Sequence, residues 1–116
     1  MQNNNINFNL KNKNIIITGG NGFLGNQITN ALIEEKANVF IIDIKKSKKN
    51  TSAKYFYTDI TKEKDLKKIL SFFKSKKIKI DVLINNAGIN YSPKKIKKII
   101  LNWKIFQIFY GIKILM

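Results

Sequence analysis

The sequence predicts an α/β fold: a doubly wound parallel sheet, truncated to about four strands, in the order 3-2-1-4. Three observations carry this. Short apolar runs alternate with segments of helical periodicity, reading β-α-β and then β-α-β. The runs are rich in Ile, Val and Phe without polar alternation, as strands buried on both faces are. The chain has 116 residues, 44% of them hydrophobic, which suits one domain with one core.

The elements follow in order. Residues 1–13 are polar and asparagine-rich and are expected to be disordered. "NIIIT", Asn14 to Thr18, is the first buried strand. From Phe23 to Lys36, apolar Leu24, Ile28, Ala31 and Leu32 recur at helical spacing. "NVFIID", Asn38 to Asp43, is the second strand and ends in a carboxylate. A polar connection over 44–54 leads into a third strand, "KYFYTD", Lys54 to Asp59. Thr61 is placed to cap a helix whose buried face is Leu66, Ile69, Leu70 and Phe73. "IDVLINNAG", Ile80 to Gly88, is a fourth strand running into a turn. Pro93 interrupts, and residues 93–116 read as a helix-like tail. With four strands, "DVLIN" is an apolar edge, to be covered by the tail or by a second chain.

Composition excludes several chemistries. There is no cysteine and no histidine, so thiolate sites, disulfides and imidazole acid–base work are absent, and no metal site is expected. The net charge of +15 comes from 22 lysines without a single arginine, the residue that forks onto guanine and phosphate. Lysine, asparagine, isoleucine and phenylalanine are abundant together, as in coding sequences rich in A and T. Nucleic acid is therefore not the expected partner. The N-terminus has no h-region and no stretch is long and apolar enough to span a membrane, so a cytoplasmic location is expected.

"TGGNGFLG", Thr18 to Gly25, sits between the first strand and the first helix. Gly19, Gly22 and Gly25 would let the backbone turn tightly and approach a pyrophosphate, and let helix and strand pack closely. The helix N-terminus offers N–H groups to phosphates, and Thr18 and Asn21 could add side-chain contacts. An ordinary βα turn is the plainer reading of the glycines alone. Asp43 closes the second strand where a Rossmann-like unit places the carboxylate for an adenosine ribose. It would repel a 2′-phosphate, although Lys45, Lys46, Lys48 and Lys49 follow at once. The expected cofactor is NAD(P), with NAD favoured.

From Asn14 to Gly88 the chain resembles the N-terminal, cofactor-binding part of the short-chain dehydrogenase/reductases, on "TGGNGFLG", Asp43-Ile44, "DIT" at Asp59 to Thr61 and "NNAG" at Asn85 to Gly88. "NNAG" belongs to the compact branch of that family, whereas "TGGxGFLG" is closer to the extended, epimerase-type branch. The resemblance implies a dinucleotide-binding half over 14–92, with Phe23 and Leu24 in the glycine loop. It implies that Asp59 contacts the adenine amino group with Ile60 beside the ring. It also implies that Asn85, Ala87 and Gly88 steady the central strand and lie against the cofactor.

The family's acid–base tyrosine, its lysine four residues on and its serine lie beyond "NNAG". Tyr91 and Lys95 share that spacing, but Pro93 between them is incompatible with one continuous helix. The tail "NWKIFQIFYGIK" faintly resembles the family's fourth helix, with Phe109 near the place of its asparagine. No catalytic residue is assigned. The expectation is a truncated oxidoreductase of alcohol or carbonyl groups that keeps the dinucleotide half-site. The alternatives are a non-catalytic nucleotide-binding or interaction module, self-associating or paired with a longer relative through edge strand and tail, and an epimerase/dehydratase-type relative.

Overall fold

In a computed structural model, residues 9–46, 52–87 and 113–115 are described. They form β1 (Asn14–Thr18), α1 (Phe23–Glu34), β2 (Asn38–Asp43), β3 (Lys54–Tyr57), α2 (Glu63–Ser75), β4 (Val82–Asn85) and β5 (Lys113–Leu115). The sheet is parallel throughout, and its order is β3-β2-β1-β4-β5. The four expected strands lie in the expected 3-2-1-4 order, and a fifth is added at the edge.

β-Branched residues and the period of two explain the core. Ile16, Phe40, Ile42 and Leu83 point to one face, where Leu66, Ile69 and Phe73 of α2 cover them together with Ile60 and Ile80. Phe73 is fully buried and meets Phe40 edge-on at 5.0 Å between ring centroids. Ile17, Val39 and Ile41 point to the other face, against Ile28, Leu32 and Ile33 of α1. Of the expected stripe on α1, Leu24 is 59% exposed and Ala31 is exposed as well.

Both helices end without glycine. Lys36 and Lys77 adopt left-handed φ of 66° and 54° one residue past the C-caps Glu35 and Lys76. Ala37 N–H then donates to the Leu32 carbonyl and Lys36 N–H to the Ile33 carbonyl; Ile78 and Lys77 repeat the pair on Phe73 and Lys74. These are Schellman closures, which glycine normally makes because it has no Cβ to strain. At the start of α2 the expected cap is corrected. Lys62 is the N-cap, and the Thr61 hydroxyl instead donates to Asp59 Oδ1 at 2.6 Å.

The tail is also corrected where it is described. Its residues 113–115 are a strand, paired in parallel with β4, because an apolar strand with open N–H and C=O groups is a template for another. Residues 93–112, with Tyr91, Gly88 and the lysines 48 and 49, lie outside the described residues. No helix among those described is long and apolar enough to cross a membrane.

Candidate functional site

Because all strands run one way, their carboxyl ends share one rim. The register sets Thr18 beside Ile42 and Asn85, and Asp43 beside Tyr57. The strand order turns at β1, with β2 on one side and β4 on the other, and there the connections diverge and leave a crevice. A groove of about 430 Å³ lies at this rim, lined by Gly19, Gly22 and Phe23 through Gly25 on one side, by Asp43 to Lys45 on another, and by Asn86 and Ala87. A larger hollow of about 660 Å³ at the opposite end of the sheet is lined by Lys54, Lys77 and Lys79, with no comparable convergence of loop backbone and carboxylate.

The glycines of the loop differ in what requires them. Gly19 has φ +65°, and a Cβ there would come within 2.9 Å of the Ala87 Cα. A Cβ on Gly25 would strike the Gly19 carbonyl oxygen and lie 2.8 Å from the Gly20 Cα. These two are glycine so that the loop can fold and the β4 turn can pack on it. Gly22 is different. Its backbone is extended (φ −77°, ψ 177°), and a Cβ there would meet only the Gly19 carbonyl, at an unstrained 3.4 Å. The space in front of Gly22 belongs to the groove. As N-cap of α1, Gly22 supplies no side-chain acceptor, and the first turn holds no acidic residue. The amino end of the helix therefore presents its dipole and N–H groups to the groove with no side-chain cap.

Asp43 is held from two sides: Asn21 N–H donates to Oδ2 and Lys45 N–H to Oδ1, each at 3.0 Å. Each carboxylate oxygen keeps a further lone pair. Behind it, the Tyr55 hydroxyl donates to the Asp43 carbonyl at 3.1 Å. Burial first, then the Asp43 carboxylate and Tyr57, hold the Tyr55 phenol above its ordinary pKa of 10.0, so it remains a donor at neutral pH.

Thr18 and Asn21, read from the sequence as phosphate contacts, are 1% and 5% exposed. The Thr18 hydroxyl accepts from the N–H groups of Asn86 (3.0 Å) and Ala87 (3.1 Å), and the Asn21 amide donates to the Lys45 carbonyl. Both side chains build the rim from behind. Asp59 carries its own Asx turn, Oδ1 accepting from Thr61 N–H, while its N–H donates to Asp65 Oδ2. The side chain of Ile60 is 8% exposed and packs in the core under α2. Asn85 is half-buried at the end of β4.

Three participants escaped the sequence reading. Asn86, treated there as part of a turn, donates from Nδ2 to the Gly19 carbonyl at 3.2 Å and so links the two loops. Tyr55 and the backbone of Lys45 brace Asp43. Asn86 lies inside the "NNAG" motif; Tyr55 reaches Asp43 from twelve residues away on the neighbouring strand, and Lys45 acts through its backbone, which residue type does not reveal.

The family model for short chain dehydrogenase matches residues 13–108. A short chain dehydrogenase/reductase of Gibberella zeae is 38% identical over 89 residues, covering 69% of this chain and 33% of that protein. The NAD-dependent glycerol dehydrogenase of Listeria innocua is 30% identical over 89 residues, covering 71% and 35%. The chain thus spans about a third of the length of these curated relatives. Among solved structures, a short chain dehydrogenase of Leptospira borgpetersenii with bound NAD+ is similar in fold. Its TM-score is 0.71 at 23% identity, over 88% of this chain and 45% of that one.

Proposed function

The chain belongs to the short chain dehydrogenase family, and on that premise we propose that its groove binds a nicotinamide dinucleotide, with NAD preferred over NADP. The observation that carries the reading is the meeting of two charges of opposite kind. The uncapped, positive end of α1 opens on the groove in front of Gly22, and the Asp43 carboxylate stands braced on the same rim. A pyrophosphate suits the first, and the hydroxyls of an adenosine ribose suit the second.

In this reading the backbone of Gly19 through Gly25 holds the pyrophosphate and Asp43 the ribose, with Asp59 at the adenine and Ile60, whose side chain is committed to the core, offering only its backbone there. Asn85 and Ala87 border the nicotinamide side. Thr18, Asn21 and Asn86 keep these parts in register. When bound, the nicotinamide supplies hydride donation or acceptance for alcohol–carbonyl interconversion. The residues assigned here bind and orient; none of them takes the acid–base step. The Asp43 charge disfavours a 2′-phosphate, and Lys45 and Lys46 beside it reduce that penalty. One relative and one structural neighbour whose names specify NAD support the choice of cofactor.

The test uses the conformational innocence of position 22. Gly22→Val adds a branched side chain at a backbone angle valine tolerates, and its Cβ meets only the Gly19 carbonyl, at an ordinary 3.4 Å. NADH fluorescence should rise saturably with the unaltered chain and not with Gly22→Val, while the circular dichroism of the two chains stays the same. Absence of binding by NADH and NADPH at millimolar concentration would remove the cofactor reading and leave the fold.

A further inference from the structure

Asn21 takes part in a closed circuit of three hydrogen bonds. Its backbone N–H donates to Asp43 Oδ2 at 3.0 Å, and its Nδ2 donates to the Lys45 carbonyl at 2.6 Å. Lys45 completes the ring, its own N–H donating to Asp43 Oδ1 at 3.0 Å. The direction of the side-chain bond is fixed by chemistry, since a carbonyl only accepts and the amide nitrogen must face it. The amide oxygen is thereby left buried, with no hydrogen-bond partner among the described residues. A residue present only to fill space would not incur that penalty.

We propose that Asn21 is a positioning residue that sets the preference between the two dinucleotides, a role that rests on the dinucleotide reading above. The circuit ties the glycine loop to the first residues after β2. It fixes the Asp43 carboxylate at the rim, each oxygen keeping acceptor capacity for a ribose hydroxyl. It also fixes the backbone of Lys45, which with Lys46 begins the lysine-rich connection and is exposed. While the circuit is closed, a 2′-phosphate meets a carboxylate that cannot turn away. Without the Asn21 amide, the Lys45 carbonyl loses its partner, the carboxylate gains freedom to rotate, and the neighbouring ammonium groups gain freedom to reach a phosphate. Asn21 thus acts on the ligand only through Asp43 and Lys45.

The experiment measures dissociation constants for NADH and NADPH in four chains: unaltered, Asn21→Ala, Asp43→Ala and the double variant. Loss of a hydrogen bond that orients a charged group should weaken NADH about tenfold in Asn21→Ala, while NADPH changes little or tightens. A role in stability alone would weaken both equally. In the Asp43→Ala background the Asn21→Ala effect on NADH should vanish, because its route to the ligand has gone. If Asn21→Ala does not fold, Asn21→Ser, too short to reach the Lys45 carbonyl, carries the same comparison. An unchanged NADH-to-NADPH ratio, or additive effects in the double variant, overturns the proposal. If the unaltered chain binds neither dinucleotide, it is the cofactor reading that fails.

Discussion

Thr18, 1% exposed at the end of β1, accepts through one hydroxyl oxygen the N–H groups of both Asn86 and Ala87, and its own proton reaches toward the Ile84 carbonyl at 3.5 Å. Two backbone donors of the β4 turn therefore depend on a single side-chain atom. Thr18→Val keeps the shape and the β-branching but leaves both part-buried donors without their acceptor. The expected loss is about 1–3 kcal/mol, from two part-buried N–H groups that lose their acceptor, read as a lower denaturation midpoint with an unchanged slope. Thr18→Ser, which keeps the oxygen, should recover most of it. Equal destabilisation by the two variants would show that the methyl group, and not the hydroxyl, is what matters at this position. Gly19 belongs to the same joint, because its left-handed backbone and missing Cβ let Ala87 approach.

At the scale of elements, the helix ends are where physical rules and sequence part company. Lys36 and Lys77 occupy left-handed positions that complete Schellman closures, each with a Cβ that the conformation penalises. Lys77→Gly removes that strain and should stabilise the chain by about 0.5–1 kcal/mol, with the melting temperature rising accordingly; a fall would mean that the Lys77 side chain contributes more than its backbone costs. This also explains what was legible beforehand. The strands β1, β2 and β4 were readable because Ile, Val and Phe in unbroken runs have few uses other than a doubly covered sheet. The existence of both helices was readable from the spacing of Ile28 and Leu32 and of Leu66, Ile69 and Phe73. Their exact stops were less legible: α1 ends at Glu34, two residues before the expected Lys36, since lysine in place of glycine gives no stop signal. Thr61 looked like a cap because its type is right, but its hydroxyl is better satisfied by Asp59 two residues away. The same distinction holds at the rim. Gly22 and Asp43 were legible as residue types in the turn and at a strand's end, whereas the burial of Thr18 and Asn21 depends on which way each side chain turns, and that is decided by partners 24 to 69 residues distant.

For the molecule as a whole, the least legible feature is the one that finishes the sheet. Lys113, Ile114 and Leu115 lie in a tail where apolar residues and lysines mix at a spacing equally suited to a helix, and three residues carry almost no intrinsic preference. What decides the outcome is β4, whose Val82, Leu83 and Ile84 stand in register with them. Leu83 is fully buried, and without β5 the backbone beside it would be an open edge on an apolar strand. Covering it with a three-residue strand trades a four-residue apolar edge for a shorter one, and short edges recruit other chains less readily. Removing residues 113–116 should therefore leave the α1, α2 and glycine-loop half intact while restoring the exposed edge. The shortened chain should elute as a larger species than the full chain, or scatter light at concentrations where the full chain does not. Its two helices should still contribute their circular dichroism. If the shortened chain elutes as the full one does at the same concentration, β5 is not what keeps the β4 edge from pairing.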